Sequence, residues 1–237
     1  RERHLVGECN TTASRASGVL RSEDGGKTWQ AHGRERHLVG ECNTTASRAS
    51  GVLRSEDGGK TWQAHGWVTH PRTWLIENTA AEISGGRVLM LFRTNAGYLF
   101  SSTSSDTGKT WSPAEPTNLP NPDSKIQLLR LRSGHLALVF NAHRKLKHAL
   151  RRVRSLLDVA ASADDGKTWV RIARLDDELD PGLRIHYPTM IQARGMLYVT
   201  YSKFYHEKYM GRGANRTDLG IKLMGVDLTR RLPPLAP

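Results

Sequence analysis

The chain has few of the residues that stabilise small secreted domains or hold metal ions. Only two cysteines occur among its 237 residues, and Cys9 and Cys42 occupy the same position in two copies of one segment. This excludes a disulfide framework, while the compartment stays open. Clusters of Cys and His with the spacing of a metal site are absent, so we expect neither a metal nor an organic cofactor.

Long apolar runs are missing as well. No stretch approaches the 18 or more apolar residues of a membrane-spanning helix, and a hydrophobic content of 38% is typical of a globular protein. The chain opens with Arg1 and has no apolar targeting segment, as expected of a fragment or an incomplete gene model. The sequence predicts neither a localisation nor an oligomeric state.

Positive charge is in excess, with a net charge of +12. A basic surface favours anionic partners, either nucleic acid or an anionic sugar. The basic residues are scattered apart from the run between Arg144 and Arg154, a pattern typical of a solvated loop. No aromatic platform for stacking bases accompanies this run, so nucleic acid is the less favoured partner.

An exact repeat begins the chain, because residues 1–33 recur without change as residues 34–66. Two diverged repeats of one fold would differ, so the copy reflects a very recent duplication or an assembly artefact. We predict that residues 1–33 are not a full structural repeat. Residues 34–237 are expected to form the folded body.

A second, degenerate repeat is an eight-residue turn of the form Ser-x-Asp-x-Gly-x-Thr-Trp, named here the box turn. In it the Asp carboxylate can accept hydrogen bonds from the backbone of its own turn, and Gly accepts a positive φ. The Trp supplies a large apolar plate that packs beneath the turn. Box turns occupy Ser22–Trp29, Ser55–Trp62, Ser104–Trp111 and Ser162–Trp169.

The segments between box turns have the pattern of β-hairpins. Alternating strands turn at Gly-containing sites within residues 79–93, 126–141 and 187–201. A third short strand leads into two of the box turns, and a fourth strand follows each Trp. Four-stranded units roughly 50 residues apart predict the blades of a β-propeller.

On these box turns and hairpins, the sequence from about residue 42 to residue 205 resembles the sialidase (neuraminidase) superfamily, also called the BNR or Asp-box family. The resemblance implies an all-β, six-bladed propeller of the sialidase type, here truncated to about four blades. It also implies that the box turns lie on the face opposite the active site, so that they mark the fold and not the chemistry.

The resemblance implies roles for individual residues. Tyr187, in His-Tyr-Pro-Thr-Met, matches the family's nucleophile, and Glu77, in Glu-Asn-Thr-Ala-Ala-Glu, matches the base that takes its proton. Arg93 and Arg154 match two of the three arginines that bind the substrate carboxylate, and planar guanidinium groups suit that bidentate contact. A neutral tyrosine nucleophile makes sialidases an exception among glycosidases.

Polar residues at strand ends extend this candidate site. If the box turns join the third and fourth strands, then the starts of the innermost strands and the ends of the second strands line the opposite face. Asn141 and His186 occupy such positions, and we expect them to contact substrate. We also expect Glu77, Arg93, Arg154 and Tyr187 to converge there.

The sequence departs from the family pattern in ways that bear on activity. Neither the first triad arginine, in its Arg-Ile-Pro motif, nor the acid/base Asp is identifiable, and Pro188 stands where the family prefers Ser. The leading hypothesis is an exo-α-sialidase that releases terminal sialic acid from glycoconjugates and is incomplete at its amino end. The alternatives are a non-catalytic carbohydrate- or protein-binding propeller and an Asp-box enzyme acting on uronate polysaccharide, a chemistry that His186 would suit.

Overall fold

A computed structural model of the chain describes residues 5–10, 13–15, 36–43, 48–55, 57, 60–144, 153–180, 182–206, 216–229 and 231–235. Within these residues every regular element is a β-strand, apart from one 3-10 turn at Ser84–Gly86. The all-β prediction is therefore confirmed. No helix in the described part of the chain is long and apolar enough to cross a membrane. Two compact units are present: residues 1–92 with 100–115, and residues 93–99 with 116–237.

The first sheet contains both copies of the duplicated segment. Its strands are β1 (Leu5–Asn10), β2 (Ala13–Arg15), β3 (Arg36–Asn43), β4 (Arg48–Ser55) and β5 (Gln63–Val68), in the order β2-β1-β3-β4-β5. The β3–β4–β5 portion is antiparallel, whereas β1 pairs with β3 in parallel, with Leu5 opposite its copy Leu38. The box turn of the first copy lies outside the described residues. That residues 1–33 are not a full blade stays a prediction.

Two four-stranded sheets follow, each with its strands in sequence order. The earlier one contains β6 (Ile76–Glu82), β7 (Val88–Arg93), β8 (Tyr98–Ser104) and β9 (Glu115–Pro120). The later one contains β10 (Gln127–Arg130), β11 (Leu136–Asn141), β12 (Leu157–Ser162) and β13 (Val170–Asp176). In both sheets the box turn joins the third strand to the fourth, as the predicted blade pattern requires.

The last sheet has the three strands β14 (Leu183–Ala193), β15 (Met196–Tyr205) and β16 (Gly220–Asp227). The hairpin pattern predicts that the first of them begins at Tyr187, but it begins at Leu183. Pro188 has no N–H to donate, and the pairing with β15 shifts register between His186 and Thr189. The sequence pattern marks this β-bulge as a strand start, although the strand continues on both sides of it.

Apolar side chains from neighbouring sheets form the cores. In the second unit, the β10–β13 sheet packs against the β14–β16 sheet through residues such as Val139, Val159, Ile185 and Val199. All residues of β11 and β12 are buried. In the first unit, Val52, Met90 and Phe92 belong to a separate core, against which Trp111 of a box turn packs.

The three box turns within the described residues have the predicted hydrogen bonds. Asp164 accepts from the Thr168 amide at 2.9 Å, from the Thr168 hydroxyl at 2.6 Å and from the Ser162 hydroxyl at 2.8 Å. The indole N–H of Trp169 donates to the carbonyl of Gly166, whose φ is 86°. These hydrogen bonds stabilise the carboxylate, so the pKa of Asp164 is lowered although burial opposes the shift. Each box turn that the structure describes is thus a self-contained structural element.

Candidate active site

In the second unit, the strand β12 separates the candidate residues from the box turn. Arg154 lies before the first residue of β12, and Asp164 lies after its last residue. Six extended residues span about 20 Å, so these two side chains belong to opposite ends of the strand. The box turn of this unit is therefore remote from Arg154.

Tyr187 lies at the β-bulge of β14. Its φ is +52°, a left-handed conformation that is costly for a residue with a large side chain. The side chain is 45% exposed, although its neighbours His186 and Pro188 are buried. The bulge thus turns the tyrosine toward solvent while the surrounding strand stays in the core.

Arg154 is next to Tyr187 in space. Only 6% of the residue is exposed, and its guanidinium carbon lies 5.7 Å from the centre of the Tyr187 ring. A parallel bridge to Arg184 places it beside β14, where the Ile185 amide donates to the Arg154 carbonyl at 2.8 Å. An arginine this close to an aromatic face makes a cation–π contact. The structure therefore brings together two of the predicted site residues.

His186 connects to the same pair. Its Nδ1 lies 2.5 Å from Nη1 of Arg154, and its ring centre is 4.5 Å from that of Tyr187. Burial and the positive charges of Arg154, Arg184 and Arg93 lower the pKa of His186 to about 3. The imidazole is consequently neutral at physiological pH.

Arg93, the last residue of β7, makes a buried ion pair. Its Nε and Nη2 both lie 2.8 Å from Oδ1 of Asp123. Asp123 has a φ of +62° and precedes β10. The carboxylate holds the guanidinium in place, and it also offsets part of the charge that Arg93 could offer to an anion.

Asn141 ends β11 and ties neighbouring segments together. Its amide nitrogen donates to the carbonyls of Ser155 and Ile185, both at 2.8 Å. These carbonyls belong to the residues directly after Arg154 and directly before His186. Asn141 has no exposed surface, so in this structure it supports the backbone of the site and does not reach solvent.

Glu77 lies in the other compact unit, near the start of β6. It is half-buried, and like Tyr187 it has a positive φ, +44°. The expected convergence of Glu77 with Tyr187 stays a prediction.

The sequence pattern of the BNR repeat-like domain family matches residues 34–199. That is well over half of the chain. The chain belongs to this family. No curated protein matches it in sequence.

Solved structures similar to this BNR repeat-like chain include several sialidases. A mutant of the NanB sialidase from Streptococcus pneumoniae aligns over 91% of the chain with a TM-score of 0.60 and 15% identity. The Trypanosoma rangeli sialidase in complex with sialic acid aligns over 78% of it, with a TM-score of 0.56 and 16% identity. A protein of unknown function from Dyadobacter fermentans aligns over 90%, with a TM-score of 0.57 and 18% identity.

These likenesses show the fold, which is that of the sialidase-type β-propeller. The BNR repeat-like chain spans 37% of the NanB chain, 28% of the Trypanosoma rangeli chain and 64% of the Dyadobacter fermentans chain.

Two residues near the site were missed by the sequence reasoning. Arg184 is buried beside Arg154. A prediction that β14 starts at Leu183 would have identified it, because strand alternation then places Arg184 on the same face as His186. Asp123, the partner of Arg93, follows Pro122 in the turn that leads into β10. Asp123 thus precedes the first strand of a sheet, and the polar residues expected to line the site were also sought at the starts of such strands.

A separate ion network occupies the C-terminal ends of β13 and β15, which pair with Leu157 and Ile185 close to the candidate site. The ammonium group of Lys203 contacts Asp176 at 3.0 Å, Asp218 at 2.8 Å and Glu178, and Arg216 binds Glu178 with two hydrogen bonds. Burial alone would lower the pKa of Lys203, but these carboxylates raise it. Among the described residues, no group of three or more His, Cys, Asp or Glu is placed to hold a metal ion.

Proposed function

We propose that the chain is part of an exo-α-sialidase-like glycoside hydrolase that releases terminal sialic acid from glycoconjugates. One observation carries the proposal: a half-exposed tyrosine in a strained backbone conformation lies beside a buried arginine. Backbone strain of this kind concentrates at functional sites, where the surrounding structure maintains it. Membership of the BNR repeat-like family and the sialidase-type fold support the assignment.

In this proposal Tyr187 is the nucleophile: its oxygen bonds to the anomeric carbon as the bond from that carbon to the aglycone oxygen breaks, and the aglycone departs with that oxygen. Water then attacks the anomeric carbon, which releases sialic acid and returns a proton to the tyrosine oxygen. Glu77 takes the phenolic proton as the bond forms, so that the nucleophile is an anion only during the reaction. A neutral phenol avoids placing a fixed negative charge against the carboxylate of the sugar. The Arg154 side chain, next to the phenol ring, binds that carboxylate together with Arg93.

The arginines set the charge of the proposed site. Arg93 shares its guanidinium with Asp123, whereas Arg154 donates to a neutral imidazole. Positive charge in a region of low dielectric constant attracts an anionic ligand more strongly than it would in water. An anionic glycan is therefore the expected ligand class, with Arg154 and Arg93 as its contacts.

The test is turnover of an activated aryl sialoside by the 237-residue chain. No aspartate of the chain matches the family's acid/base, and general acid catalysis contributes about 10²–10⁴-fold. A phenolic leaving group needs little protonation, so we expect it to be cleaved faster than a natural sialoside. Tyr187→Phe should lower this turnover by about 10³-fold or more, because the nucleophilic oxygen is lost.

Tyr198→Phe is the matched control, because Tyr198 lies near the other end of β15 from the site and is half-buried. Both variants must first show a cooperative melting transition. Turnover that survives in Tyr187→Phe would refute the nucleophile. Binding of sialic acid without turnover would favour a non-catalytic glycan-binding propeller, and turnover of a uronate polymer would favour the polysaccharide-cleaving alternative.

A further inference from the structure

The contact between Arg154 and His186 defines the protonation of the imidazole. The guanidinium Nη1 and the imidazole Nδ1 are 2.5 Å apart, and both residues are more than nine-tenths buried. Arginine stays protonated in proteins and has only donors, so Nδ1 must act as the acceptor. The imidazole therefore carries its single proton on Nε2.

Contacts with two aromatic rings restrict the orientation of the imidazole. The ring centre of His186 lies 4.5 Å from that of Tyr187 and 5.1 Å from that of Phe204, each at an interplanar angle of 55°. A buried ring in contact with two aromatic neighbours has little freedom to rotate about its side-chain bonds. Nδ1 is thus directed at Arg154 by the shape of its surroundings as well as by the hydrogen bond.

The backbone beneath this contact is also held. Arg154 and Arg184 form a parallel bridge, and the Ile185 amide donates to the Arg154 carbonyl. The side chain of Asn141 bonds the carbonyls of Ser155 and Ile185, which fixes the two segments against each other. The distance between the guanidinium and the imidazole is therefore set by the fold.

We propose that His186 is a positioning residue: as a neutral acceptor it holds the Arg154 guanidinium beside the Tyr187 ring and so orients the group that binds the substrate carboxylate. This rests on the proposed function, and it assigns His186 a different role from the direct substrate contact expected from the sequence. A carboxylate side chain could also orient Arg154, but it would neutralise part of the charge. A neutral imidazole orients the guanidinium without neutralising its charge.

Two substitutions separate the acceptor from the shape of the ring. His186→Phe keeps a flat ring between Tyr187 and Phe204 but removes the acceptor, whereas His186→Asn keeps an acceptor at the position of Nδ1. We expect His186→Phe to weaken binding of N-acetylneuraminic acid about ten-fold or more in calorimetry, and to raise KM for an aryl sialoside while kcat changes little. His186→Asn should stay within about three-fold of the unsubstituted chain.

His135→Phe is the control for the loss of a buried histidine. His135 is also buried, and it bonds the Ser133 hydroxyl and the Pro233 carbonyl at the opposite end of β11 from Asn141. We expect this variant to be less stable but to bind sialic acid normally. Equal losses of affinity in His186→Phe and His186→Asn, or an affinity loss in His135→Phe as large as that in His186→Phe, would overturn the proposal.

A measurement that needs no ligand tests the contact itself. Two-bond ¹H–¹⁵N NMR spectra of the histidine rings distinguish the two neutral tautomers from the charged form. We expect His186 to be the Nε2–H tautomer at pH 6, and Arg154→Ala to abolish this preference. A charged or Nδ1-protonated ring would overturn the positioning role even if sialosides are cleaved. The predicted tautomer in a chain that neither binds nor cleaves sialosides would instead refute the proposed function.

Discussion

The neutral imidazole of His186 makes the stability of the protein depend on pH in a predictable direction. Its pKa is about 3 in the folded chain, because of burial and of the charges on Arg154, Arg184 and Arg93, against an ordinary value of 6.5. The unfolded chain therefore binds a proton that the folded chain rejects at any pH between these values. His186 costs no stability above pH 6.5, and the free energy of unfolding falls as the pH drops below it.

The size of the effect follows from the pKa difference. Between the folded and unfolded pKa values, each pH unit lowers the free energy of unfolding by up to about 1.4 kcal/mol, because only the unfolded state binds the proton. On account of His186 alone, the free energy of unfolding is about 2 kcal/mol smaller at pH 5.0 than at pH 7.5. Burial also lowers the pKa of His143, which adds to the loss in the same direction. The carboxylates of Glu178 and Asp218, whose pKa values are lowered mainly by hydrogen bonds from Arg216, come into play only at lower pH.

The assay compares the chain with His186→Asn by urea denaturation at pH 7.5, 6.0 and 5.0 and constant ionic strength. Because the variant retains His143 and every carboxylate, the difference between the two pH dependences isolates His186. We expect the unsubstituted chain to lose about 2 kcal/mol more than the variant between pH 7.5 and 5.0. Transitions followed by circular dichroism and by fluorescence must coincide, since these free energies require two-state unfolding. Parallel losses in both proteins would refute the reasoning, because His186 would then bind its proton equally well in the folded and unfolded states.

Two further substitutions test the structural elements around the site by the same denaturation assay. Asn141→Leu leaves the buried carbonyls of Ser155 and Ile185 without the Asn141 donor, and we expect the free energy of unfolding to fall by about 1–3 kcal/mol for each carbonyl. A total loss below about 0.5 kcal/mol would contradict the role of Asn141. Lys203→Met leaves the carboxylate of Asp176 buried without its ammonium partner, and we expect the free energy of unfolding to fall by about 3–5 kcal/mol. The loss should shrink in the double variant with Asp176→Leu, and equal losses in the single and double variants would contradict the role of this ion pair.

The repeat pattern was enough to predict the fold class, because each box turn is a local structure. Its Asp, Gly, Thr and Trp bond one another within eight residues, so the pattern predicts the turn without any knowledge of distant contacts. Alternation then predicts the strands on either side. The predicted start of β14 is wrong because Pro188 and the bulge at Tyr187 interrupt the alternation inside one strand. Local signals of this kind do not distinguish an interrupted strand from a new one.

The candidate site was harder to predict, since its contacts join residues far apart in the chain. The resemblance names Arg154, and the strand-end position names His186. Their hydrogen bond, however, depends on a bridge between the segment before one sheet's third strand and the first strand of the next sheet. Likewise, the ion pair of Arg93 with Asp123 joins the end of β7 to the turn before β10, two segments that are 30 residues apart in the chain. No periodicity within a segment encodes such a contact, so roles based on residue type alone missed Asp123 and Arg184.

Backbone strain connects these observations to function. Among the described residues, seven with side chains have a positive φ. Thr107 and Asp165 lie in box turns, and Arg194 lies in the β14–β15 hairpin turn, where such conformations are ordinary. The other four residues are not in these turns: Glu77, Asp123, Leu156 and Tyr187.

Glu77, Asp123 and Leu156 lie at or near the starts of strands, and Tyr187 lies at the β-bulge inside β14. Tyr187 and Glu77 are the proposed nucleophile and its base, Asp123 holds Arg93, and Leu156 follows Arg154 closely in sequence. Each such conformation costs about 1–3 kcal/mol. Glycine at Tyr187 or Glu77 would relieve the strain but remove the phenol or the carboxylate. In the proposed function, these strained positions supply the phenol and the carboxylate that glycine could not provide.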